Sequence, residues 1–527
     1  MRARPFLAVV LAVAVALLAL AGAGWWLVLA RSPLQLQHQA LAMPLAARFV
    51  PRQAALSVYL FADGGDLEAY ARAVAPGGQR RQAAAAMARL RDGAFAAVGL
   101  DYPSELASWL APETAVALLG DRAGGPAGGG WLLSLRSRDP EGARRFVQRF
   151  WQTRSLAGTD VQVGTYRGMG LISGRGGLVG QPSQPLATAL INNDLVLIAS
   201  GRKVLEQALD VSQIDELNQA SSPGLRAGLA QLGEGLALVC ARDQALQQWF
   251  GAPAGVGPMV AALRPDGAGL AVEARFELAE PLPTLAAGGA AGTALLQAYR
   301  GDAASLALLQ SPARWPQPLQ GLLQTALAAD DAGPLPALVA LADPGPLVWG
   351  GDARGWRLGT PARSPDPQQL QPVLQAQGLV EAPVDLQGQQ VQVWTRLLAR
   401  SGAPAASGSL EASVVGAHTS PAAASPVASP TAPLWWAQSL EALGTQLEQS
   451  QPPRARLAAL EALPAQAALL RWSMAAEPAQ RLLRGWQPWQ LLSGLAARNL
   501  GDAVEALSLR LGPAEAQLQL NAVMRFD

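Results

Sequence analysis

Two stretches of this sequence share one pattern: Trp131-Leu-Leu-Ser-Leu135 followed by Arg136-Ser-Arg-Asp-Pro140, and Trp356-Arg-Leu358 followed by Arg363-Ser-Pro-Asp-Pro367. In each, an apolar run typical of a strand leads to an aspartate and a proline, which are favoured at the N-cap and at the first position of a helix. The two arginine-led motifs are 227 positions apart (363 minus 136). A strand followed by a helix therefore occurs twice, which predicts an internal duplication.

Further matches run in the same order along both halves of the chain. Residues 54–60 and 303–309 both predict an opening strand, and Gly168 and Gly388 supply turns between strands. Two alternating strands close each copy, joined in the first by a turn at Pro265-Asp-Gly267. Strand pairs separated by helices predict antiparallel sheets with helices packed on one face. The predicted fold class is α+β, with a single N-terminal transmembrane helix followed by two tandem, internally duplicated copies of an antiparallel-sheet-plus-helices unit.

This interpretation divides the chain into segments of different composition. Residues 401–433 are rich in Ala, Ser and Pro with little periodicity, and they cannot bury enough apolar surface to fold. The predicted segments are a cytoplasmic tip and transmembrane anchor (1–30), a connector (31–44), a first α+β repeat (45–280), a linker (281–297) and a second α+β repeat (298–527) that contains a disordered insertion (401–433).

The N-terminal segment predicts where the protein lies. Residues 5–30 carry no charge and are long enough to cross the roughly 30 Å hydrocarbon core of a lipid bilayer as a helix. Arg2 and Arg4 precede them, so the positive-inside rule keeps the N-terminus cytoplasmic and sends the bulk of the chain to the other side. The small residues Ala21-Gly-Ala23 also suit cleavage of a signal peptide. The apolar run continues past them, which favours a retained, single-pass anchor.

Composition argues against several classes of function. The 40 basic and 39 acidic residues nearly balance, which leaves no surplus of positive charge for nucleic acid. Zinc sites, catalytic triads and lysine chemistry lack their residues, because the chain has only His38, His418, Cys240 and Lys203 of these types. Both histidines fall in segments that we predict to be solvated. We therefore predict no enzyme activity, no catalytic residue, no metal site and no cofactor.

Two further motifs have a structural interpretation that is more common than the functional one. The glycine cluster at 124–130 lacks the Lys-Ser/Thr pair of a phosphate-binding loop, so it predicts a hairpin loop. Asp63-Gly-Gly-Asp66 and Asp330-Asp331 place two carboxylates together, as calcium sites and acid–base pairs require. Helix N-caps and solvated turns use such residues more often.

Tryptophans supply the candidate interaction surface. The densest groups among the 15 tryptophans are Trp435-Trp436 and Trp486-Gln-Pro-Trp489, all in the second copy. Large rigid aromatic side chains are frequent hot spots of protein interfaces, so Trp435, Trp436, Trp486 and Trp489 predict a docking surface. The alternative is a tryptophan-rich core, which is the more common use of this residue.

Several stretches carry a family resemblance: Arg31-Ser-Pro33, Arg48-Phe-Val-Pro-Arg-Gln-Ala54, Gly99-Leu-Asp-Tyr102, Phe150-Trp-Gln-Thr-Arg154, Ala157-Gly-Thr-Asp160 and Lys203-Val-Leu-Glu206. Together they resemble a cyanobacterial domain-of-unknown-function family, whose members have an N-terminal membrane anchor and a large extracytoplasmic domain. The resemblance covers about the first half of the chain. It implies a cyanobacterial source and a location in the periplasm or the thylakoid lumen, and it implies no activity.

The predicted function is that of a membrane-anchored interaction or assembly protein, a scaffold without catalytic activity. Its predicted partners are the lipid bilayer, through residues 5–30, and a protein in the membrane or the extracytoplasmic space. A carrier that binds a lipid or another apolar ligand between sheet and helices is the second hypothesis. A carboxylate-dependent hydrolase is the third, and it requires two acidic residues that converge in a cleft with perturbed pKa values. The oligomeric state stays open.

Overall fold

The computed structural model of this protein describes residues 32–120, 129–156, 160–176, 184–282, 290–328, 334–342, 345–361, 365, 367–399, 410–419 and 432–526. The strands are β1 (Leu56–Phe61), β2 (Leu110–Leu118), β3 (Trp131–Ser137), β4 (Gln162–Tyr166), β5 (Met169–Gly176), β6 (Gln184–Ile191), β7 (Leu195–Ala199), β8 (Ala237–Ala241), β9 (Val256–Asp266), β10 (Gly269–Leu278), β11 (Ser305–Gln310), β12 (Pro346–Asp352), β13 (Gly355–Thr360), β14 (Leu379–Leu386), β15 (Gln389–Ala399), β16 (Leu410–Thr419), β17 (Leu434–Ala437), β18 (Leu470–Ala475), β19 (Val504–Ala514) and β20 (Gln517–Phe526).

Helices occur between these strands in both halves of the chain. The α-helices are α1 (Gly64–Val74), α2 (Arg80–Ala96), α3 (Pro140–Leu156), α4 (Arg202–Gln213), α5 (Pro223–Leu232), α6 (Asp243–Ala245), α7 (Ala290–Ala298), α8 (Gln317–Ala328), α9 (Leu335–Leu341), α10 (Pro367–Ala376), α11 (Leu440–Glu448), α12 (Arg454–Glu461), α13 (Ala476–Arg484) and α14 (Gln487–Leu495). Short 3-10 or π-helical turns cover Pro33–His38, Leu45–Arg48, Tyr102–Leu106, Asp215–Leu217, Gln219–Ser221, Leu246–Phe250, Pro312–Arg314 and Leu500–Ala503.

The strands form one antiparallel sheet of 20 strands, and its two halves have the same strand order. In the first half the order is β4-β5-β6-β7-β3-β2-β1-β8-β9-β10. In the second half it is β14-β15-β16-β17-β13-β12-β11-β18-β19-β20. Each strand of the second half therefore occupies the place of the first-half strand numbered ten lower.

The two halves join where β10 pairs with β20, a junction that we call the seam. The closing strands of the two halves are offset by 248 positions (517 minus 269 for their first residues). The same offset makes Asn521 the equivalent of Glu273, and these two residues lie directly opposite each other in the ladder. Equivalent residues that face each other across antiparallel strands indicate an approximate two-fold axis through the seam.

Apolar side chains cover both faces of the sheet. The run from Leu195 to Ala199 in β7 is buried throughout, as expected for a strand covered on both sides. Its residues Leu195 and Leu197 pack in the cluster that contains helices α4 and α5. Val196 and Ile198 pack in another cluster, which contains helix α3. Helices therefore lie on both faces, and the predicted one-sided packing is wrong.

Local signals in the sequence predicted several elements correctly. Helices α3 and α10 begin at Pro140 and Pro367, as the aspartate–proline motifs indicated. The glycine turns join β4 to β5 and β14 to β15, and the central φ angles are 52° and 80° in the first turn. Positive φ at both central positions matches the right-handed twist of a hairpin, and Gly168 and Gly388 adopt it without strain.

The structure corrects the predicted fold class. Two tandem sheet units were expected, and the strands instead form one continuous sheet through the pairing of β10 with β20. The prediction also included an N-terminal transmembrane helix, whose residues 5–30 lie outside the described part of the chain. Within the described residues, no helix is long and apolar enough to cross a membrane. The corrected fold is a single antiparallel sheet of 20 strands with helices on both faces.

Two predicted irregular segments contain regular structure. Residues 410–419, inside the predicted disordered insertion 401–433, form strand β16. This stretch contains Val414 and Val415 and pairs with both β15 and β17. The second part of the predicted linker 281–297 belongs to helix α7. The remainder of the insertion up to residue 431, the aspartates at 330–331 and residues 124–128 of the glycine cluster lie outside the described residues.

Candidate functional site

Trp435 and Trp436, predicted to face a partner, lie inside the fold. Both belong to β17, and their residues are 6% and 0% exposed. Nε1 of Trp436 donates a 3.1 Å hydrogen bond to Thr360 Oγ1, and its ring stacks on Trp394 with 5.7 Å between ring centroids. These two tryptophans therefore stabilise the second half of the sheet and have little surface to offer a partner.

Trp486 and Trp489 lie where the second half contacts the first. Trp489 is buried, and Trp486 is half-buried. Nε1 of Trp486 donates a 3.3 Å hydrogen bond to the carbonyl oxygen of Phe250, and the two rings meet edge to face with centroids 6.0 Å apart. Trp486 therefore contributes to the contact between the two halves of the chain.

The histidines occupy different environments, and one of them corrects a prediction. His418 lies in strand β16 and is 3% exposed, so it is not a solvated loop residue. Its Nε2 lies 3.1 Å from Oε1 of Glu381, and this hydrogen bond lowers the pKa of the Glu381 carboxyl. His38 is exposed, with its Nδ1 3.5 Å from Glu234. Among the described residues, no three metal-ligating side chains come together.

The aspartate pair Asp63 and Asp66 has a structural role at the start of α1. Asp63 Oδ1 accepts hydrogen bonds from the backbone N–H of Gly65 and from the hydroxyl of Tyr102, both at 3.0 Å. Its Oδ2 accepts another from Arg138 at 3.0 Å. Burial, and then the nearby charge of Asp63, raise the pKa of Asp66. The N-cap interpretation is confirmed for Asp63, whose oxygens already have partners.

One cleft collects polar groups that the fold leaves without partners. It has a volume of about 290 Å³ and lies next to the seam, between the start of α5 and strands β8, β9 and β10. The polar residues that line it are Arg52, Gln219, Ser222, Cys240, Arg242, Arg275, Glu277 and Gln517. We call it the arginine cleft. Because Gln517 belongs to β20, the second half of the chain completes its wall.

Gln219 lines the cleft, and hydrogen bonds hold its side-chain amide in place. Its residue is 6% exposed, and its Oε1 accepts hydrogen bonds from the hydroxyls of Ser57 at 2.8 Å and Tyr59 at 2.6 Å. Burial raises the pKa of Tyr59 well above its ordinary value, so this phenol remains a donor. With Oε1 occupied, Nε2 is the donor end of the amide, and no acceptor for it occurs among the described residues.

Three arginines line the same cleft as Gln219. The Arg275 side chain is 13% exposed, and its Nη2 lies 3.5 Å from Glu273. Its buried Nε has no hydrogen-bond partner among the described residues. The nearest carboxylate to Arg242, that of Asp243, is 4.0 Å away. Arg52 is exposed, and its side chain has no hydrogen bond or ion pair within the described part of the chain. Each arginine thus has donor capacity that the fold does not use.

The charge of the lining favours an anion. Among the described lining residues, three are arginines and one, Glu277, carries a carboxylate. The ion-pair partners of Arg275 and Arg242, which are Glu273 and Asp243, are not part of the lining. The first turn of α5, from Pro223 to Leu225, also lines the cleft, and its first N–H groups lie outside the i to i−4 pattern of the helix. A helix N-terminus adds a partial positive charge at the same place. The cleft therefore combines charge and directed donors for an acidic group.

A buried polar network connects the cleft to the second half. Glu273, next to Arg275, accepts a 2.7 Å hydrogen bond from Nε2 of Gln519 across the seam. Oε1 of Gln519 accepts a 3.2 Å bond from Arg510, which also donates to Asn521 at 3.1 Å. The position of Arg275 therefore depends on groups from β19 and β20.

Comparison with known proteins assigns the chain to a family. The family described as "Protein of unknown function (DUF3352)" matches residues 10–301, which is more than half of the chain. The chain belongs to the DUF3352 family. The matched residues include all three arginines of the cleft in this DUF3352 protein. The resemblance to a family of unknown function is thus confirmed. No curated protein matches the sequence.

Two solved structures are loosely similar to this chain. Crystal form III of TP0453 is 10% identical, with 46% of this chain and 82% of that chain covered and a TM-score of 0.28. Crystal form I of TP0453 is 9% identical, with 45% and 81% covered and the same TM-score of 0.28. These similarities are too low to support a statement about fold or function.

Sequence reasoning missed the cleft of the DUF3352 protein. Its functional groups come from segments that are far apart in sequence, such as Arg52, Gln219, Arg275 and Gln517. None of them lies in a motif with characteristic spacing. The available signal was Ser222-Pro223, a pair typical of a helix start, which marked where free backbone N–H groups would lie.

Proposed function

We propose that this protein is a non-catalytic interaction protein that binds an acidic group of its ligand or partner in the arginine cleft. The observation that carries the proposal is that Arg52, Arg242 and Arg275 line one cleft with a single lining carboxylate. Gln219 lines the same cleft, and two hydrogen bonds hold its side-chain amide in place. Arg275 contributes donor capacity, because its Nη2 is 3.5 Å from Glu273 and its Nε has no hydrogen-bond partner among the described residues.

Carboxylate and phosphate groups both suit this lining. Guanidinium groups bind either of them through paired, charge-assisted hydrogen bonds. The cleft volume of about 290 Å³ lies near the lower limit of small-molecule sites, so it suits one acidic group with a short stem. A side chain, a chain terminus or a small metabolite meets this description, and the binding experiment below separates carboxylate from phosphate.

The other functional hypotheses receive less support from this geometry. An apolar carrier needs a cavity lined mainly by apolar groups, whereas three guanidiniums line the arginine cleft. A hydrolase needs two free carboxylates that converge, whereas Asp63 is occupied as an N-cap. The cyanobacterial source, the extracytoplasmic location and the protein partner that the sequence predicted stay predictions and are compatible with a binding role.

Calorimetric titration of the full chain with inorganic phosphate and, separately, with succinate tests the proposal. We expect at least one anion to bind with one site per chain and more weakly at high salt. Arg275→Met removes a charge-assisted hydrogen bond worth about 1.5 to 3 kcal/mol, so it should weaken binding roughly 10- to 100-fold. Arg396→Gln, at an exposed arginine of β15 outside the cleft, is the matched control.

The outcomes separate clearly. Binding that Arg275→Met weakens and Arg396→Gln leaves unchanged supports the arginine cleft. If neither anion binds, or if both variants weaken binding equally, the proposal is wrong. A preference for succinate identifies a carboxylate ligand, and a preference for phosphate identifies a phosphorylated one.

A further inference from the structure

Glu277 gives the arginine cleft a negative charge beside its positive ones. It is exposed, and its side chain forms no hydrogen bond or ion pair within the described part of the chain. A Cβ atom built on Gly224 would lie 3.9 Å from Oε1 of Glu277, so this carboxylate stands beside the first turn of α5, which also lines the cleft. The cleft therefore offers a free acceptor group as well as its arginines.

The positive and negative groups of the cleft are kept apart. Arg275 and Glu277 are two positions apart in β10, so their side chains lie on the same face of the sheet, with Cα atoms about 7 Å apart. Both residues line the cleft, yet among the described residues Glu277 forms an ion pair neither with Arg275 nor with the other two arginines. The cleft thus contains two separate charged positions and not an internal ion pair.

The charges at the cleft balance when the neighbours of the lining are counted. Glu273 and Asp243, the ion-pair partners of Arg275 and Arg242, lie outside the lining. Together with Glu277 they supply three carboxylates for the three guanidiniums of the described lining. A ligand with negative charge alone would leave Glu277 unpaired near a like charge, which is unfavourable. A ligand that carries both charges is complementary to this arrangement.

We propose that the ligand of the arginine cleft is a small zwitterion, an amino acid whose carboxylate binds the arginines while its ammonium group binds Glu277. The role of Glu277 rests on the proposed function, because the arginines must first accept an acidic group. The cleft volume of about 290 Å³ suits a molecule of a few carbon atoms. 4-Aminobutyrate is a suitable probe, since a short aliphatic chain separates its two charges, as the separation of Arg275 and Glu277 requires.

Calorimetric titration of the full chain at low ionic strength compares three ligands of similar size. 4-Aminobutyrate carries both charges, butyrate lacks the amino group, and 4-aminobutanamide lacks the carboxylate. We expect 4-aminobutyrate to bind about two- to fivefold more tightly than butyrate, which is the gain from one ion pair at an exposed carboxylate. 4-Aminobutanamide should bind more weakly than 4-aminobutyrate, because an uncharged amide cannot form an ion pair with the arginines.

Glu277→Gln removes the negative charge and keeps the length of the side chain. It should reduce the affinity for 4-aminobutyrate to that for butyrate. The affinity for butyrate should stay equal or rise, because a like charge has been removed, and retained butyrate binding shows that the variant is folded. Glu461→Gln, at an exposed glutamate of α12 outside the cleft, is the matched control and should change neither affinity. Arg275→Met should weaken the binding of both ligands.

If 4-aminobutyrate binds no more tightly than butyrate, or if Glu277→Gln and Glu461→Gln have equal effects, the role of Glu277 is wrong. Binding of succinate or phosphate that Arg275→Met weakens would then leave the proposed function intact. Binding of 4-aminobutanamide as tight as that of 4-aminobutyrate would also overturn the zwitterion, since the arginines would not hold the carboxylate. If no anion binds at all, the proposed function and the role of Glu277 fail together.

Discussion

Replacing Gly93 by alanine is expected to destabilise the protein, although alanine is the better helix former. Gly93 lies in α2, and a Cβ atom there would stand 1.8 Å from the carbonyl oxygen of Leu495 at the end of α14. Ordinary contacts of a Cβ atom are 3.4 Å or longer, so the helices would have to separate by about 1.6 Å (3.4 minus 1.8). The two helices belong to different halves of the chain, and the substitution therefore acts on their contact.

Gly321 in α8 provides the matched control, because nothing lies within 4 Å of its Cβ position. Alanine in place of glycine inside a helix contributes about 0.5 to 1 kcal/mol of stability, and both variants receive this gain. Overpacking at the α2–α14 contact costs about 1 to 3 kcal/mol in Gly93→Ala alone. We therefore expect Gly93→Ala to be less stable than Gly321→Ala by about 1 to 3 kcal/mol.

Urea unfolding at 25 °C, followed by tryptophan fluorescence, measures this difference. The midpoint should fall for Gly93→Ala and rise for Gly321→Ala relative to the unmodified chain. If Gly93→Ala is as stable as Gly321→Ala, then α2 and α14 are not in contact, and the arrangement of the two halves described above is wrong.

Two further predictions concern titratable groups. The hydrogen bond from His418 lowers the folded-state pKa of Glu381 below its ordinary 4.5. This hydrogen bond therefore stabilises the fold above pH 4.5, and the stabilisation is lost as the pH falls through the folded-state pKa of Glu381. Glu381→Gln should therefore lower the urea midpoint at pH 7, and this loss should become smaller as the pH falls below 4.5. A loss that stays constant with pH would contradict the interaction. Burial raises the pKa of Cys240 to about 12 from 9.0, so the native thiol should react with a disulfide reagent at pH 8 roughly two to three orders of magnitude more slowly than in urea. Equal rates in buffer and in urea would show that the thiol is not desolvated.

Local chemistry explains which elements the sequence predicted. Asp139-Pro140 and Pro265-Asp-Gly267 encode a helix start and a hairpin turn within a few residues, and both appear in the structure. The seam could not be predicted in this way, because β10 and β20 are 248 positions apart in the sequence. Alternation of apolar and polar residues reveals which face of a strand is apolar, but it does not reveal which strand pairs with its edge. The prediction for 401–433 failed at residues 410–419, because Ala, Ser and Pro dominate the segment on both sides of this short strand, whose β-branched signal is limited to Val414, Val415 and Thr419.

The candidate site could not be derived in the same way. The near balance of 40 basic and 39 acidic residues gives no sign of the cleft, since only the fold brings Arg52, Arg242 and Arg275 into one lining. The tryptophans illustrate the reverse case. Density in sequence suggested a surface at Trp435 and Trp436, and the sheet places both in its interior, where an aromatic ring buries the most apolar area.

Anomalous diffraction from a crystal of the protein grown with selenate tests the central claim most directly. The account predicts one strong selenium peak inside the arginine cleft, within hydrogen-bond distance of Arg275 and of Arg52 or Arg242. In Arg275→Met we expect this peak to be lost while selenium peaks elsewhere stay unchanged, which would show that Arg275 binds the anion. Selenate bound only at other surfaces, with no peak in the cleft of the unmodified protein, would contradict it.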